Sequence, residues 1–175
     1  CRWTEVPFYF NTYKCALNPS VDGHGGVAIV SKHALIDVRL HDTGCLTCKV
    51  DCGKFCVRIF ALYCPQSGRP TDELDLFWQR LSAFASDIAD ADHAAGPTRR
   101  IFLGDFNAGD KTAKQKHHYT ADLRAEFMQL HDLRSSYERL PLEARKVAYT
   151  WTSPNGKFMR QLDGVLVQQR YFSDV

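Results

Sequence analysis

Residues 101–107 read Ile101-Phe102-Leu103-Gly104-Asp105-Phe106-Asn107. Three apolar residues closed by a glycine describe a buried strand, central in a sheet, whose C-terminal end delivers a carboxylate and a carboxamide. That pair suits phosphodiester chemistry, because a carboxylate takes a proton from water while an amide holds an oxygen. Asp105 and Asn107 are two residues apart, so an extended chain points both the same way. The plain alternative is a strand end running into an Asx-type turn, which asks for the same residue types. These residues alone leave both readings open.

Two further segments bear on the choice. Residues 147–167 contain Tyr149-Thr150-Trp151-Thr152-Ser153, the turn signal Pro154-Asn155-Gly156, and Arg160-Gln161-Leu162-Asp163 before Gly-Val-Leu-Val. The turn separates two strand-like runs, the second carrying a lone acid, Asp163. Upstream, Phe60-Ala61-Leu62-Tyr63-Cys64-Pro65-Gln66 ends a strand in tyrosine, with proline stopping the ladder. Each residue has a simpler role open to it. Tyr63 suits a half-buried aromatic whose hydroxyl reaches water, Asp163 suits a surface pair with Arg160, and Trp151 reads as core packing.

Tyrosine, Asp/Asn and Asp at three strand ends, in that order, resemble the endonuclease/exonuclease/phosphatase superfamily. It includes abasic-site repair endonucleases, deoxyribonuclease I and the endonuclease domains of non-LTR (LINE-type) retrotransposons. Leu62-Tyr63-Cys64-Pro65-Gln66, Gly104-Asp105-Phe106-Asn107-Ala108 and Tyr149-Thr150-Trp151 through Asp163 resemble the retrotransposon branch most, in RTE-type wording. Gly25-Gly26-Val27-Ala28-Ile29-Val30 matches a strand that branch carries upstream, so the likeness covers essentially the whole chain.

The resemblance implies an α/β fold, a two-sheet α/β sandwich of the deoxyribonuclease I type with helices outside and one functional rim. It implies that Tyr63 lies beside the scissile phosphate, that Asp105 orients or deprotonates the attacking water, and that Asn107 binds the phosphate oxygen. Asp163 would align a histidine, as an acid does in hydrolytic triads. The implied cofactor is Mg2+, with Mn2+ as a substitute, held by Asp105 and Asn107. DNA is the implied partner, with a reverse transcriptase domain in the same parent polyprotein and the nucleus as location.

The likeness is incomplete at both ends. The family's metal-binding glutamate precedes the position of Cys1, and Glu5 falls too late to replace it. Ser173-Asp174 imitates the family's closing Ser-Asp-His, but no histidine follows, so it reads as the start of one more strand. The expectation is an endonuclease domain lacking both termini. A truncated relic that only binds nucleic acid is the second reading; a phosphatase of the same superfamily is the third. The Thr150–Gly156 segment argues against the phosphatase.

The 175 residues suffice for one substantial core, and 45% hydrophobic with 24% charged residues is ordinary for a globular domain. A formal net charge of +2 is weak, so affinity for nucleic acid must come from local clustering. Lys111, Lys114 and Lys116, with His117 and His118, follow the Asp105 motif; Asn155, Lys157 and Arg160 sit on the hairpin. Both stretches are candidate DNA contacts, with a solvated loop as the simpler reading for the first and a tight turn for the second. No run approaches membrane-spanning length, so no membrane partner is expected.

Seven cysteines are an odd number, which argues for a reducing compartment. Cys45, Cys48, Cys52 and Cys56 invite a zinc reading, but Leu46–Val50 and Phe55–Tyr63 read as strands around a turn, with the cysteines as small hydrophobes. Strands are also expected over Gly25–Val30 and Ala34–Leu40, the latter alternating through Leu35, Asp37 and Arg39. Helices are expected over Thr71–Asp90, with Leu74, Phe77, Leu81, Phe84 and Ile88 inward, and over Thr120–Leu133, with Leu123, Phe127, Met128 and Leu130 inward. Residues 91–100 read as a polar loop.

Overall fold

The computed structural model describes residues 14–19, 26–41, 44–108, 119–145, 149–157 and 159–174. Its strands are β1 (Lys14–Pro19), β2 (Gly26–Ser31), β3 (Leu35–His41), β4 (Cys45–Asp51), β5 (Cys56–Tyr63) and β6 (Thr98–Asp105), followed by β7 (Leu133–Ser135), β8 (Trp151–Thr152), β9 (Met159–Arg160) and β10 (Asp163–Gln168). The helices are α1 (Thr71–Ala95), α2 (Tyr119–Leu130) and the single turn α3 (Leu142–Arg145). Among the described residues, six strands form one sheet in the order β3-β4-β5-β6-β10-β7, while β1–β2 and β8–β9 form separate pairs. No described helix is long and apolar enough to cross a membrane.

The alternating side chains of β5 and β6 build two cores, one on each face of the sheet. Phe60, Leu62 and Phe102 join Phe77, Trp78, Leu81 and Ile88 of α1 and Phe127 of α2. Cys48 and Val50 of β4 with Ala61 of β5 face the other way, toward Ala16 and Ile29 of β1 and β2. The expected α/β sandwich is thus present, with the helices covering one face and a second pair of strands the other. Phe60 and Phe102 stack at a centroid distance of 4.2 Å across the parallel β5–β6 pair.

Several boundaries differ from expectation. Helix α1 does not stop at Asp90 but continues through the alanine-rich 91–95 before Gly96, at φ 120°, ends it. The added turn matters, because Asp92 there is buried against Arg58 and Lys49. Arg58 Nε and Nη2 donate to Asp92 at 3.1 and 2.8 Å, and Lys49 Nζ lies 2.7 Å from it. Helix α2 ends at Leu130, where Asp132 turns left-handed at φ 53°, so Leu133 begins β7 instead of closing the helix. Leu130 is 70% exposed, not inward; the helix turns it away from the sheet that holds Phe127. In β3 a bulge between Ile36 and Arg39 breaks the expected alternation, and Asp37 there has φ 49°.

Ser173-Asp174 ends a 3-10 helix, Gln169–Asp174, and does not begin a strand. The aromatic pair ahead of it is held by cations: Arg99 lies 4.7 Å from the Tyr171 ring and Arg134 4.5 Å from the Phe172 ring. The cysteines follow the small-hydrophobe reading. Cys45 and Cys48 are fully buried in different cores on opposite sides of the sheet, and burial pushes the Cys45 thiol up to about 12. Cys52 sits exposed in the expected turn, where Gly53 has φ 82°.

His131, after α2, predicts a pH response. It is 6% exposed, Ser82 Oγ lies 2.8 Å from its Nε2, and burial followed by the charge of Arg100 lowers its pKa to about 4. The unfolded chain therefore takes up this proton first, from about pH 6.5 downward. The contribution is intact above that pH and lost progressively toward pH 4, amounting to about 3 kcal/mol. Urea melts across this window should show a steeper loss for the parent protein than for His131→Asn.

Candidate active site

The parallel β5–β6 register pairs Tyr63 with Asp105, and the antiparallel β6–β10 register pairs Asp105 with Asp163. Residues paired in register share a face of the sheet. Tyr63, Asp105 and Asp163, taken from three stretches of sequence, therefore form one row across three adjoining strands. The row lies at one rim, on the face that also carries Ala61 and Leu103.

Gly104 makes the row possible. Its φ is 138°, and a Cβ there would collide with the carbonyl oxygen of Leu62 and come within 2.9 Å of its carbonyl carbon. No other residue type allows the two backbones so close. Beyond the row the chain stops being extended. Asn107 has φ 46°, and its N–H donates to Asp105 Oδ1 at 2.8 Å. The Asx-type turn and the polar pair are thus one feature: the turn, not strand alternation, brings Asn107 back beside Asp105. Phe106 N–H donates to Leu162 O at 2.9 Å, Cys64 N–H donates to Asp105 O at 2.8 Å, and Asn107 Nδ2 donates to Cys64 O at 2.7 Å.

Electrostatics set Asp105 apart. Burial raises its carboxyl above the usual range, the N–H of Asn107 draws it back in part, and the charge of Asp163 raises it further. A half-buried carboxylate with an acidic neighbour is a strong base and gains from a nearby cation. One Nδ2 hydrogen of Asn107 is bonded to Cys64 O and Asp105 Oδ1 accepts the Asn107 N–H, so the chemistry left for an ion is the Asn107 amide oxygen and Asp105 Oδ2. These are hard oxygen donors of the type Mg2+ or Mn2+ takes, so Asp105 and Asn107 fit the expected ion, with water and phosphate completing its shell. No cluster of three or more His, Cys, Asp or Glu side chains suited to a metal occurs among the described residues.

Asp163 is exposed and its backbone is tied down by Thr150, a residue the sequence did not single out. Thr150 Oγ1 accepts from Leu162 N–H at 2.8 Å and Asp163 N–H at 3.0 Å, while Thr150 N–H donates to Arg160 O at 3.0 Å. Threonine in a β-rich stretch carries no signal of such a role. In the hairpin, Asn155 Oδ1 accepts from Ser153 Oγ at 2.8 Å and Lys157 N–H at 3.1 Å, so Asn155 shapes the tip. Lys157 is exposed.

Trp151 is 40% exposed, which corrects the core-packing expectation, because the two-residue strands β8 and β9 leave it at the rim. With Arg160, Asn107, Gln66, Gly68 and Leu162 it lines a cleft of about 200 Å3. Lys111, Lys114, Lys116, His117, His118 and Glu5 lie outside the described residues.

Tyr63, Asp105 and Asp163 thus meet at one rim of the sheet sandwich. Residues 2–174 match the model of the Endonuclease/Exonuclease/phosphatase family, and the chain belongs to that family. Its structure is similar to a 3′ phosphatase, NExo, from Neisseria bound to product DNA hairpin, with TM-score 0.71, 18% identity, and coverage of 93% of this chain and 69% of that one. It is also similar to the AP endonuclease LMAP from Leishmania major, with TM-score 0.68, 16% identity, and coverage of 93% and 64%. For the human Nocturnin catalytic domain with bound sulfate the values are 0.54, 16%, 90% and 61%. The chain thus spans roughly two thirds of the length of these structures. No curated protein matches the sequence. Enzymes of the family generally depend on a divalent metal.

Proposed function

We propose that this chain is a divalent-metal-dependent DNA endonuclease domain that nicks target DNA for reverse transcription, as in non-LTR retrotransposons. The in-register row Tyr63–Asp105–Asp163, with Asn107 folded back against it, carries the reading. Asp105, its basicity raised by burial, orients and deprotonates the attacking water. The Tyr63 hydroxyl and the second Nδ2 hydrogen of Asn107, the first being bonded to Cys64 O, hold phosphate oxygens as charge develops on them. Exposed Asp163 holds and orients an imidazole, as the resemblance implies. Mg2+ or Mn2+ at Asp105 and Asn107 would supply charge neutralisation at the phosphate.

DNA as substrate is supported by the exposed Trp151 and Lys157 and by Arg160 beside the row, and by the DNA hairpin bound to the Neisseria phosphatase. The retrotransposon assignment, with a reverse transcriptase as partner and the nucleus as location, rests on the wording of the Tyr63, Asp105 and Trp151–Asp163 segments. Lys111, Lys114, Lys116 and Asn155 complete the proposed DNA-contacting set.

Supercoiled plasmid incubated with the protein and Mg2+ should convert to open circles, with a rate that falls steeply as salt rises. Salt-sensitive binding without nicking would favour the binding-only relic. Release of phosphate from a 3′-phosphorylated oligonucleotide without nicking would transfer the assignment to the phosphatase reading.

A further inference from the structure

The turn at Asn107 is strained and must be held from somewhere. Its φ of 46° belongs to the left-handed region, which asparagine tolerates at a cost. The incoming side is fixed by Phe106 N–H to Leu162 O and by Asn107 N–H to Asp105 Oδ1. The outgoing side is gripped from the opposite face of the sheet. Arg124 of α2, only 4% exposed, reaches beneath the row and donates from Nη1 to Ala108 O at 3.2 Å. Its guanidinium centre lies 5.1 Å from the Phe106 ring centroid. A Cβ built on Gly164 would sit 3.7 Å from Arg124 Nη2 and 3.6 Å from the Phe106 ring.

One planar cation therefore touches the residues just before and just after Asn107 and packs beside the residue that follows Asp163. Taking a guanidinium out of water is costly, and an apolar side chain would fill the same space without that cost. What an apolar side chain does not supply is a fork that bonds the Ala108 carbonyl while lying near an aromatic ring. We infer that Arg124 is a positioning residue, clamping the Phe106–Ala108 segment so that Asn107 and Asp105 keep their mutual geometry. For catalysis this rests on the proposed nuclease reading; the clamp itself does not.

The test uses Arg124→Lys and Arg124→Met, the lysine variant keeping the charge and losing the fork. Amide hydrogen exchange should accelerate about tenfold or more at Phe106 and Asn107 in both variants, with Phe60 and Leu166 unchanged. In plasmid nicking, kcat should fall about tenfold or more, with KM for DNA within about twofold of the parent. Parent-like exchange at Phe106 and Asn107 in either folded variant overturns the inference, as does uniform acceleration at all four amides, which marks general structural support. A parent protein that does not nick, with the local acceleration present, keeps the clamp and removes the nuclease reading.

Discussion

Asp105→Asn should keep the fold and lose nicking by about a thousandfold or more. The substitution preserves shape and leaves an Oδ1 to accept the Asn107 N–H, so the turn survives. What disappears is the charge, and with it the only carboxylate that the turn itself presents. The raised pKa of Asp105 gives the experiment an internal control. A carboxyl whose folded pKa lies above its unfolded one disfavours the native state once ionised. Removing that charge, and its repulsion with Asp163, should leave stability at neutral pH equal to the parent's or slightly higher. Loss of activity with an undiminished melting temperature is then a chemical effect and not unfolding. Nicking at the parental rate would remove Asp105 from the mechanism and the row from its central place.

Among the described glycines, Gly104 should suffer most from an added methyl group in Gly104→Ala. The added Cβ meets the Leu62 carbonyl oxygen, a backbone atom of the neighbouring strand with no freedom to step aside, and φ 138° is a conformation an alanine rarely adopts. Separating β5 from β6 there would break the ladder between Tyr63 and Asp105. The expected loss is about 4 kcal/mol or more, a large part of the roughly 5–15 kcal/mol that holds a domain folded. Gly164→Ala is the matched control, since its Cβ would find the Phe106 ring at 3.6 Å, an ordinary contact. Circular dichroism melts should show the first variant unfolded or sharply destabilised and the second close to the parent. Equal melting of both would mean that the sheet tolerates a wider spacing at the row.

The two substitutions probe different layers of one arrangement. Gly104 lets two strands approach closely, the approach sets Tyr63 beside Asp105, and the turn that follows adds Asn107. The neighbouring β10 contributes Asp163 through its pairing with β6, and Thr150 Oγ1 holds the backbone where that strand begins. A rim built this way draws its geometry from backbone pairing, which is stiff, and its chemistry from exposed side chains, which are free to meet a ligand.

Much was legible in the chain itself. The apolar run into Asp105, the proline after Tyr63 and the turn at Asn155-Gly156 are local signals, and each marked an element that the fold contains. The spacing of Leu74, Phe77, Leu81 and Ile88 likewise marked the buried face of α1, because helical periodicity is written in consecutive residues. Where local signals were weak the reading erred. The alanines after Asp90 suit a helix or a loop, and contact with Arg58 and Lys49 decided for the helix. Trp151 and Leu130 are apolar by type and exposed by placement, which depends on what lies opposite them.

Residue type and short-range order were enough to give the family, the central strand and the residues with suitable chemistry. The packed molecule alone settles that Tyr63, Asp105 and Asp163 stand in one register, that Asn107 reaches its place through a left-handed turn, and that Arg124 supports it from the other face. Register and face are properties of strands paired across 42 and 58 residues of chain. No local pattern encodes them: they are chosen when both cores close on the same sheet.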